Sequence, residues 1–331
     1  MNRPNEQIMK RSVFTNLGIK DYLIMGVVVL YLTAPFLTQG GYSLRVFTLI
    51  TFFTSFSISF NILFGRSNQL YLCLAALAGI SAYTSGILSR SYGVDPWIGI
   101  IIGSLFSMVI SGALSYVSHV RRLGVVYIAV LTLAFELMFE NVVVALADIT
   151  GGDIGFRLLP LRLGFLGEVM GQAIAIYYVS AILASVLLMS SYFVFERGKA
   201  GIILEAIRQD ETAAAILGIN CRRIKVYTSL ACGFTLGLSG ALYAYFNGFV
   251  SPFYYSFPSI DVLTQVMTIF GGRGTILGPV VGSYIFTYVN ENIRFFGPQS
   301  LIMYGLTYVV LFTLFRRGLI PSMRRWVKWL F

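Results

Sequence analysis

Apolar residues recur along this chain in runs of about twenty, each nearly free of charge and closed by basic or Gly/Pro-rich segments. A helix needs about 20 such residues to cross a hydrocarbon core of ~30 Å. Runs of this kind are read at 22–38, 43–64, 70–88, 97–118, 124–147, 173–195, 226–247, 275–293 and 298–315. One further apolar piece, 259–270, is short for a straight crossing and reads as a short span or a re-entrant helix. The expected fold is all-α: a polytopic helical membrane protein with about ten transmembrane segments, nine full spans plus one short or re-entrant. Composition points the same way. Apolar residues make up 57% and charged residues 11%, against roughly 25% charged in soluble domains. That excludes an ordinary soluble enzyme, a disordered chain and a nucleic-acid module. The first run follows a charged leader and lacks a small-x-small cleavage site, so it reads as an uncleaved span.

The net charge of +10 would indicate a polyanion partner in a soluble protein. Here it reads as topology. With the N-terminus inside and 259–270 counted as crossing, 19 of the 24 Lys and Arg residues fall on one side. The positive-inside rule then places both termini in the cytoplasm and favours an even number of crossings. The resulting layout is a cytoplasmic leader over 1–21, a transmembrane domain over 22–315 with a cytoplasmic loop at 196–225, and a basic cytoplasmic tail over 316–331.

Chemistry-bearing residues are sparse. Cys73, Cys221 and Cys232 are too scattered for a disulfide framework and read as small hydrophobes in helix packing. The single histidine, His119, argues against a metal site or a Ser-His-Asp arrangement and reads as a solvated residue at a span end. No G-x-x-x-x-G-K-[ST] occurs, so this chain has no P-loop for ATP, and energy for any transport comes from a partner or an ion gradient. Ionisable residues at membrane depth are costly and so are functional candidates. Glu136 and Glu140, i and i+4 on one helix face, are read either as a polar wall of a pathway or a contact to a substrate ammonium, or as a buried hydrogen bond or ion pair with another span. Asp261 reads as an interfacial or helix N-terminal carboxylate. The pairs Gly99/Gly103, Gly233/Gly237 and Gly278/Gly282 read mainly as close intrachain helix packing, with a subunit interface as the alternative. Phe253, Tyr254, Tyr255 and Phe257 are expected in the interfacial aromatic belt. The outer loop 148–172 carries Asp148, Asp153, Arg157, Arg162 and Glu168, and is read as a contact for an external protein or a plain solvated loop.

The loop 196–225 is the most informative stretch. Glu205 to Leu217 is a strong helix former, with Gly218 as its expected C-cap. Ile203, Ala206, Ile207, Ala214 and Leu217 form a partial apolar stripe, yet Ala213, Ala214 and Ala215 are expected on show, either in a helical linker or in a docking helix whose Arg208 and Glu211 pair across an interface. The run Ala206-Ile207-Arg208-Gln209-Asp210-Glu211, followed by Ala213-Ala214 and Leu217-Gly218-Ile219-Asn220, resembles the coupling loop of the branched-chain amino acid ABC permeases, the LivH/LivM type. The resemblance extends through Ser239 to Ala244, Gly248 to Pro252, Gly271-Gly272-Arg273-Gly274-Thr275, Gly278-Pro279 and Arg317 to Pro321. Upstream it takes in Asn61, Gln69, Tyr83, Leu131 to Phe135 and Ile149-Thr150-Gly151-Gly152, the last two stretches favouring the LivM type. It spans about residues 42–321. One segment departs: Gly-Gln-x-Ser-Leu-Gly-His of the family stands here as Asn68-Gln69-Leu70-Tyr71-Leu72-Cys73-Leu74, in a region expected near the pathway.

The resemblance implies an ABC importer permease fold working by alternating access. It implies a second, LivH-like permease subunit, two cytosolic ABC ATPases that hold the ATP and Mg, and an extracytoplasmic substrate-binding protein, in the cytoplasmic (inner) membrane of a prokaryote. The chain itself is expected to bind no cofactor, metal or nucleic acid and to be no enzyme. Arg208, Asp210, Glu211, Ala213, Ala214 and Gly218 are the expected ATPase-coupling residues. Asn61, Gln69, Tyr83, Glu136 and Glu140 are candidates for the pathway, and Gly151, Gly152, Gly271, Gly272, Gly274 and Pro279 for structural turns. Branched-chain amino acids are the expected substrates, with urea, short amides or other small solutes as alternatives. An ion-coupled secondary transporter using Glu136 and Glu140 is the reading from another class.

Overall fold

The computed structural model describes residues 19–37, 40–161, 170–293, 299–314, 318–320 and 322. The leader before residue 19, Arg162, Glu168, Arg294, Arg316, Arg317, Pro321 and the tail from 323 lie outside the described residues.

Each apolar run contains a helix among the described residues. The elements are α1 (Ile19–Leu37), α2 (Gly41–Phe60), α3 (Leu74–Tyr92), α4 (Pro96–Val120), α5 (Val125–Ala145), α6 (Gln172–Tyr192), α7 (Lys199–Gln209), α8 (Glu211–Ile216), α9 (Cys221–Asn247), α10 (Leu263–Gly272), α11 (Gly278–Ile293) and α12 (Ser300–Leu314). The protein is thus an all-α polytopic membrane protein. Among the described residues, five helical runs are long and apolar enough to cross a membrane: Gly41–Arg66, Pro96–Val120, Val125–Ala145, Gln172–Arg197 and Cys221–Asn247. The only strands described are Phe156–Arg157 and Phe249–Val250, paired antiparallel.

The interior is built of buried aromatic and aliphatic side chains, but α4 turns its small polar residues inward. On α4, Ser104, Ser107, Ser111, Ser115 and Ser118 are buried, while Phe106, Val109, Tyr116 and Val117 are exposed. Lipid rewards apolar surface outward, so helices associate through small residues that let backbones approach. A Cβ at Gly103 would lie 2.6 Å from the Ser81 carbonyl oxygen, and one at Gly237 would lie 2.8 Å from Ser104 Cα. Gly99 faces Ser85, Gly233 faces Ser111, and Gly278 and Gly282 meet the α10 backbone. All three glycine pairs therefore serve contacts within the chain.

The central helix is α2, which packs against α1, α6, α9, α10 and α11. Most of its hydroxyls are satisfied locally or across helices, Ser57 Oγ being a buried exception. Thr54 bonds with Tyr31 and with Ser283, Thr51 with Ser180, and Ser59 with Thr235. Phe52, Phe53 and Phe56 meet the ring of Tyr243 on α9 edge-on. After Phe60 the helix loosens into a π-turn over Asn61–Arg66.

Residues 70–73, read from sequence as the start of the span 70–88, are not helical, and α3 begins only at Leu74. Such backbone is tolerated at depth only where protein surrounds it. Tyr71 and Cys73, two of the departures from the family pattern, are fully buried. The Tyr71 hydroxyl bonds with Ser229 on α9 and donates to the Ser111 carbonyl on α4.

The 259–270 piece does not turn back on itself. A π-turn over Phe257–Val262 continues directly into α10. The run starts with the Phe257 N–H on Glu140. It ends where Arg273 reaches the Phe64 carbonyl and Asn68 Oδ1. Tyr255, expected in the interfacial belt, is fully buried and donates to the Gly240 carbonyl at 2.7 Å. Its neighbour Phe253 is 75% exposed, as a belt residue should be. His119, read as a loop residue, closes the last turn of α4, half-buried, with Nδ1 2.7 Å from the Ser115 carbonyl oxygen.

Candidate functional site

Two places gather the chemistry-bearing residues. The first lies around the start of α3, deep in the bundle. Leu74, Ala75 and Ala76 carry the unpaired N–H groups of its first turn, which have no partner within the helix. Asp261, from the π-turn before α10, accepts from Leu74 at 2.7 Å and from Ala75 at 2.9 Å. Glu136 on α5 accepts from Ala76 at 2.7 Å. Thr132, one turn before Glu136, accepts from Leu72 at 3.0 Å. Two carboxyl groups from different helices thus cap a third, where the helix dipole places partial positive charge. Glu136 is the twelfth residue of the 21-residue α5, near its middle. Its Oε1 is buried without a partner, as is the Tyr83 hydroxyl nearby. Tyr83 packs edge-on against Phe139, Phe156 and Tyr255.

The pathway candidates therefore separate. Glu136 and Tyr83 sit around this deep capped end, and Glu140 holds the Phe257 N–H at 3.1 Å beside it. Asn61 and Gln69 do not join them. Asn61 clamps the turn after α10, accepting from the Gly274 N–H and donating to the Thr275 carbonyl. Gln69 donates to Ser67 and to the Lys225 carbonyl and accepts from Ser115. Asp261 was legible as a helix N-terminal carboxylate, but not that it caps a helix nearly two hundred residues earlier in sequence.

The second place is the 196–225 loop. Instead of one helix over Glu205 to Leu217, it folds as two. Asp210 takes an extended conformation and its side chain accepts from the N–H groups of Thr212 and Ala213 at 2.8 and 3.1 Å. It is the N-cap of α8, which local propensity alone had merged with α7. Gly218, at φ +85°, ends α8. The Gly218 N–H bonds to Ala215 and the Ile219 N–H to Ala214, the paired pattern of a Schellman cap.

Ala214, expected exposed, is buried against Ile207 and Cys221. Ala213 and Ala215 do lie exposed, and α8 also presents Ile216 and Leu217, 82% and 78% exposed. Arg208 and Glu211 have partners inside the chain. Arg208 bonds Glu205 at 2.7 Å, which holds the Glu205 carboxyl below the usual carboxylate range, and reaches the Gly65 carbonyl in the π-turn that follows α2. Glu211 pairs at 2.5 Å with Lys225, a buried lysine in the first turns of α9. The hairpin is thereby tied to both α2 and α9. Replacing Asp210 with Ala is expected to destabilise α8 by about 0.5–2 kcal/mol. Hydrogen exchange should speed up at Thr212 and Ala213 with α9 unchanged; unchanged exchange at both amides would refute the capping role.

The expected turn residues are placed as follows. Gly151, Gly152, Gly272 and Gly274 adopt positive φ. Pro279 lies in the first turn of α11. Gly271 is no turn residue: it lies inside α10, where its backbone meets that of Gly278 too closely for any side chain.

Comparison with known proteins adds to this geometry. The family model described as the permease component of branched-chain amino acid transport systems matches residues 42–315. The high-affinity branched-chain amino acid transport system permease protein LivM of Escherichia coli is 27% identical, covering 92% of this chain and 76% of its own. LivM of Salmonella typhimurium is 26% identical over the same shares. The fructose import permease protein FrcC of Rhizobium meliloti is 24% identical, covering 72% of this chain and 68% of its own. No solved structure matches the chain.

Proposed function

Because the chain belongs to the permease family of branched-chain amino acid transport systems, we propose that it is one membrane-spanning half of an ABC importer for amino acids, with Leu, Ile and Val foremost. In this reading the chain crosses a prokaryotic inner membrane ten times with both termini in the cytoplasm. A second, LivH-like permease completes the pathway. Two cytosolic ATPases dock on the α7–α8 hairpins and hold ATP and Mg, and an extracytoplasmic binding protein delivers substrate. ATP-driven closure of the ATPases then moves the hairpin between two positions, a two-state element coupling distant sites.

The observation that carries the reading is the α7–α8 hairpin. It offers Ile216 and Leu217 outward while being tied to α2 through Arg208 and to α9 through the Glu211–Lys225 pair. Force applied to the hairpin therefore reaches the π-turn after α2 and the first turns of α9 through defined side-chain contacts. Exchanging Ile216 and Leu217 together for Asp is expected to lower ATPase co-purification and substrate uptake at least about tenfold, as for loss of an apolar interface centre. Membrane insertion should be unchanged. Equal recovery of the ATPases with the variant would overturn the docking role.

A second reading keeps the importer and changes the cargo, because a fructose import permease is among the relatives. Thermal shift of the cognate binding protein with Leu, Ile, Val, urea, short amides and fructose separates these. An ion-coupled carrier would use Glu136 and Glu140 for a cation; each already holds a backbone N–H group, while Glu136 Oε1 has no partner. Uptake by vesicles that hold an ion gradient but no ATPase would favour that carrier.

A further inference from the structure

A groove of about 1080 Å³ opens between the last turns of α4, the end of α8 and the start of α9. Arg122, Arg222, Arg223 and His119 line it, flanked by Tyr116 and Tyr227. The three arginines are exposed, and among the described residues none makes an ion pair with an acid. The acid of the groove, Glu211, is tied to Lys225. Arg122 is held at φ +52°, a conformation uncommon for any residue but glycine, asparagine or aspartate. Three unneutralised guanidinium groups around one concavity form a site that wants an anion, and guanidinium matches phosphate oxygens two at a time.

The surroundings say which anion. Tyr116 is 54% and Tyr227 67% exposed, and they belong to the flanks of the long helices α4 and α9. Further along α4, Val109 and Phe106 continue an exposed apolar strip away from the groove. Cations stand at the helix ends, aromatic rings border them, and apolar surface runs on toward the bilayer. This is the vertical order of a phospholipid: phosphate, glycerol backbone, acyl chains. We infer that this groove binds the phosphate headgroup of an anionic phospholipid, with its chains laid along α4. Because α8 and the start of α9 wall the groove, a lipid seated there braces the hairpin against the end of α4. The site does not require the transport reading; only the leaflet it faces depends on the orientation proposed above.

The test uses the full chain purified in neutral detergent, with native mass spectrometry in equimolar phosphatidylglycerol and phosphatidylcholine. The wild type is expected to retain phosphatidylglycerol preferentially. Exchanging Arg122, Arg222 and Arg223 together for Gln should lower that preference at least about tenfold. Arg90→Gln, remote from the groove, should keep it. Should the triple variant fail to fold, the Arg222→Gln/Arg223→Gln pair gives the same reading from two exposed positions. Inorganic phosphate at millimolar concentration should not displace the lipid; full displacement would mark a free-phosphate site and overturn the lipid assignment. No preference in the wild type, or an unchanged preference in the variants, would also overturn it. If the preference is absent and the variants instead lose the ATPases, the groove is a protein-docking face.

Discussion

Asp261→Ala is expected to destabilise the protein by about 2–6 kcal/mol, because it strands two buried N–H groups, those of Leu74 and Ala75. Nothing in a hydrocarbon core replaces the lost acceptor. Local relaxation is restricted, since Glu136 is engaged with Ala76 and Thr132 with Leu72. Asp261→Asn should fall between, retaining one acceptor oxygen. Thermal unfolding in detergent, followed by helical signal and by the amount of monodisperse protein, reads the effect. A variant as stable as the wild type would show that the α3 terminus finds other partners and that the cap is dispensable.

Gly240→Val is expected to be the second most damaging single change. A Cβ at Gly240 would lie 2.5 Å from Cα, Cβ and the carbonyl oxygen of Ala78 on α3. The obstacle is largely backbone, and α3 is held from its other side, where Ser107 on α4 donates to the Leu77 carbonyl at 2.6 Å. Overpacking of this kind costs about 1–3 kcal/mol or more. It would also move the Gly240 carbonyl that accepts from Tyr255. Gly26→Val on α1 is the control, because nothing lies within 4 Å of a Cβ there. Unfolding midpoints should drop clearly for Gly240→Val and little for Gly26→Val; equal midpoints would refute the close-packing account of the α3–α9 contact.

How much was legible beforehand varied with the range of the interaction concerned. The helices of the bundle stood in the sequence as apolar runs, because membrane crossing depends on the length and composition of one contiguous segment. Gly218 was legible as a helix end because a left-handed residue there is a local requirement. Asp210 was hidden in a stretch of good helix formers, although an aspartate before Glu-Thr-Ala is itself a start signal. Ala214 was half legible: it shares a partial apolar stripe with Ile207, but it also stands in a run of three alanines read as exposed. Its burial depends on Ile207 from α7 and Cys221 from α9.

The deep site was only half legible. Glu136 and Glu140 stood out because carboxyl groups inside an apolar run are rare. What they hold could not be read, since their partners, Ala76 and Phe257, come from elsewhere in the chain and use backbone groups that every residue carries. The non-helical start of the third span, at 70–73, was invisible for the same reason. Leu70 to Ala76 is apolar enough to continue a helix, and only the carboxyl groups of Asp261 and Glu136 let α3 begin at depth.

The sequence by itself determined the solvent of this protein, its helical class and its permease family, because those follow from segment composition and local motifs. Only the tertiary structure decided where helices break inside the bundle, which carboxyl caps which helix and which face of α8 lies outward. Those choices are made by backbone groups that leave no trace in residue identity until distant segments bring them a partner.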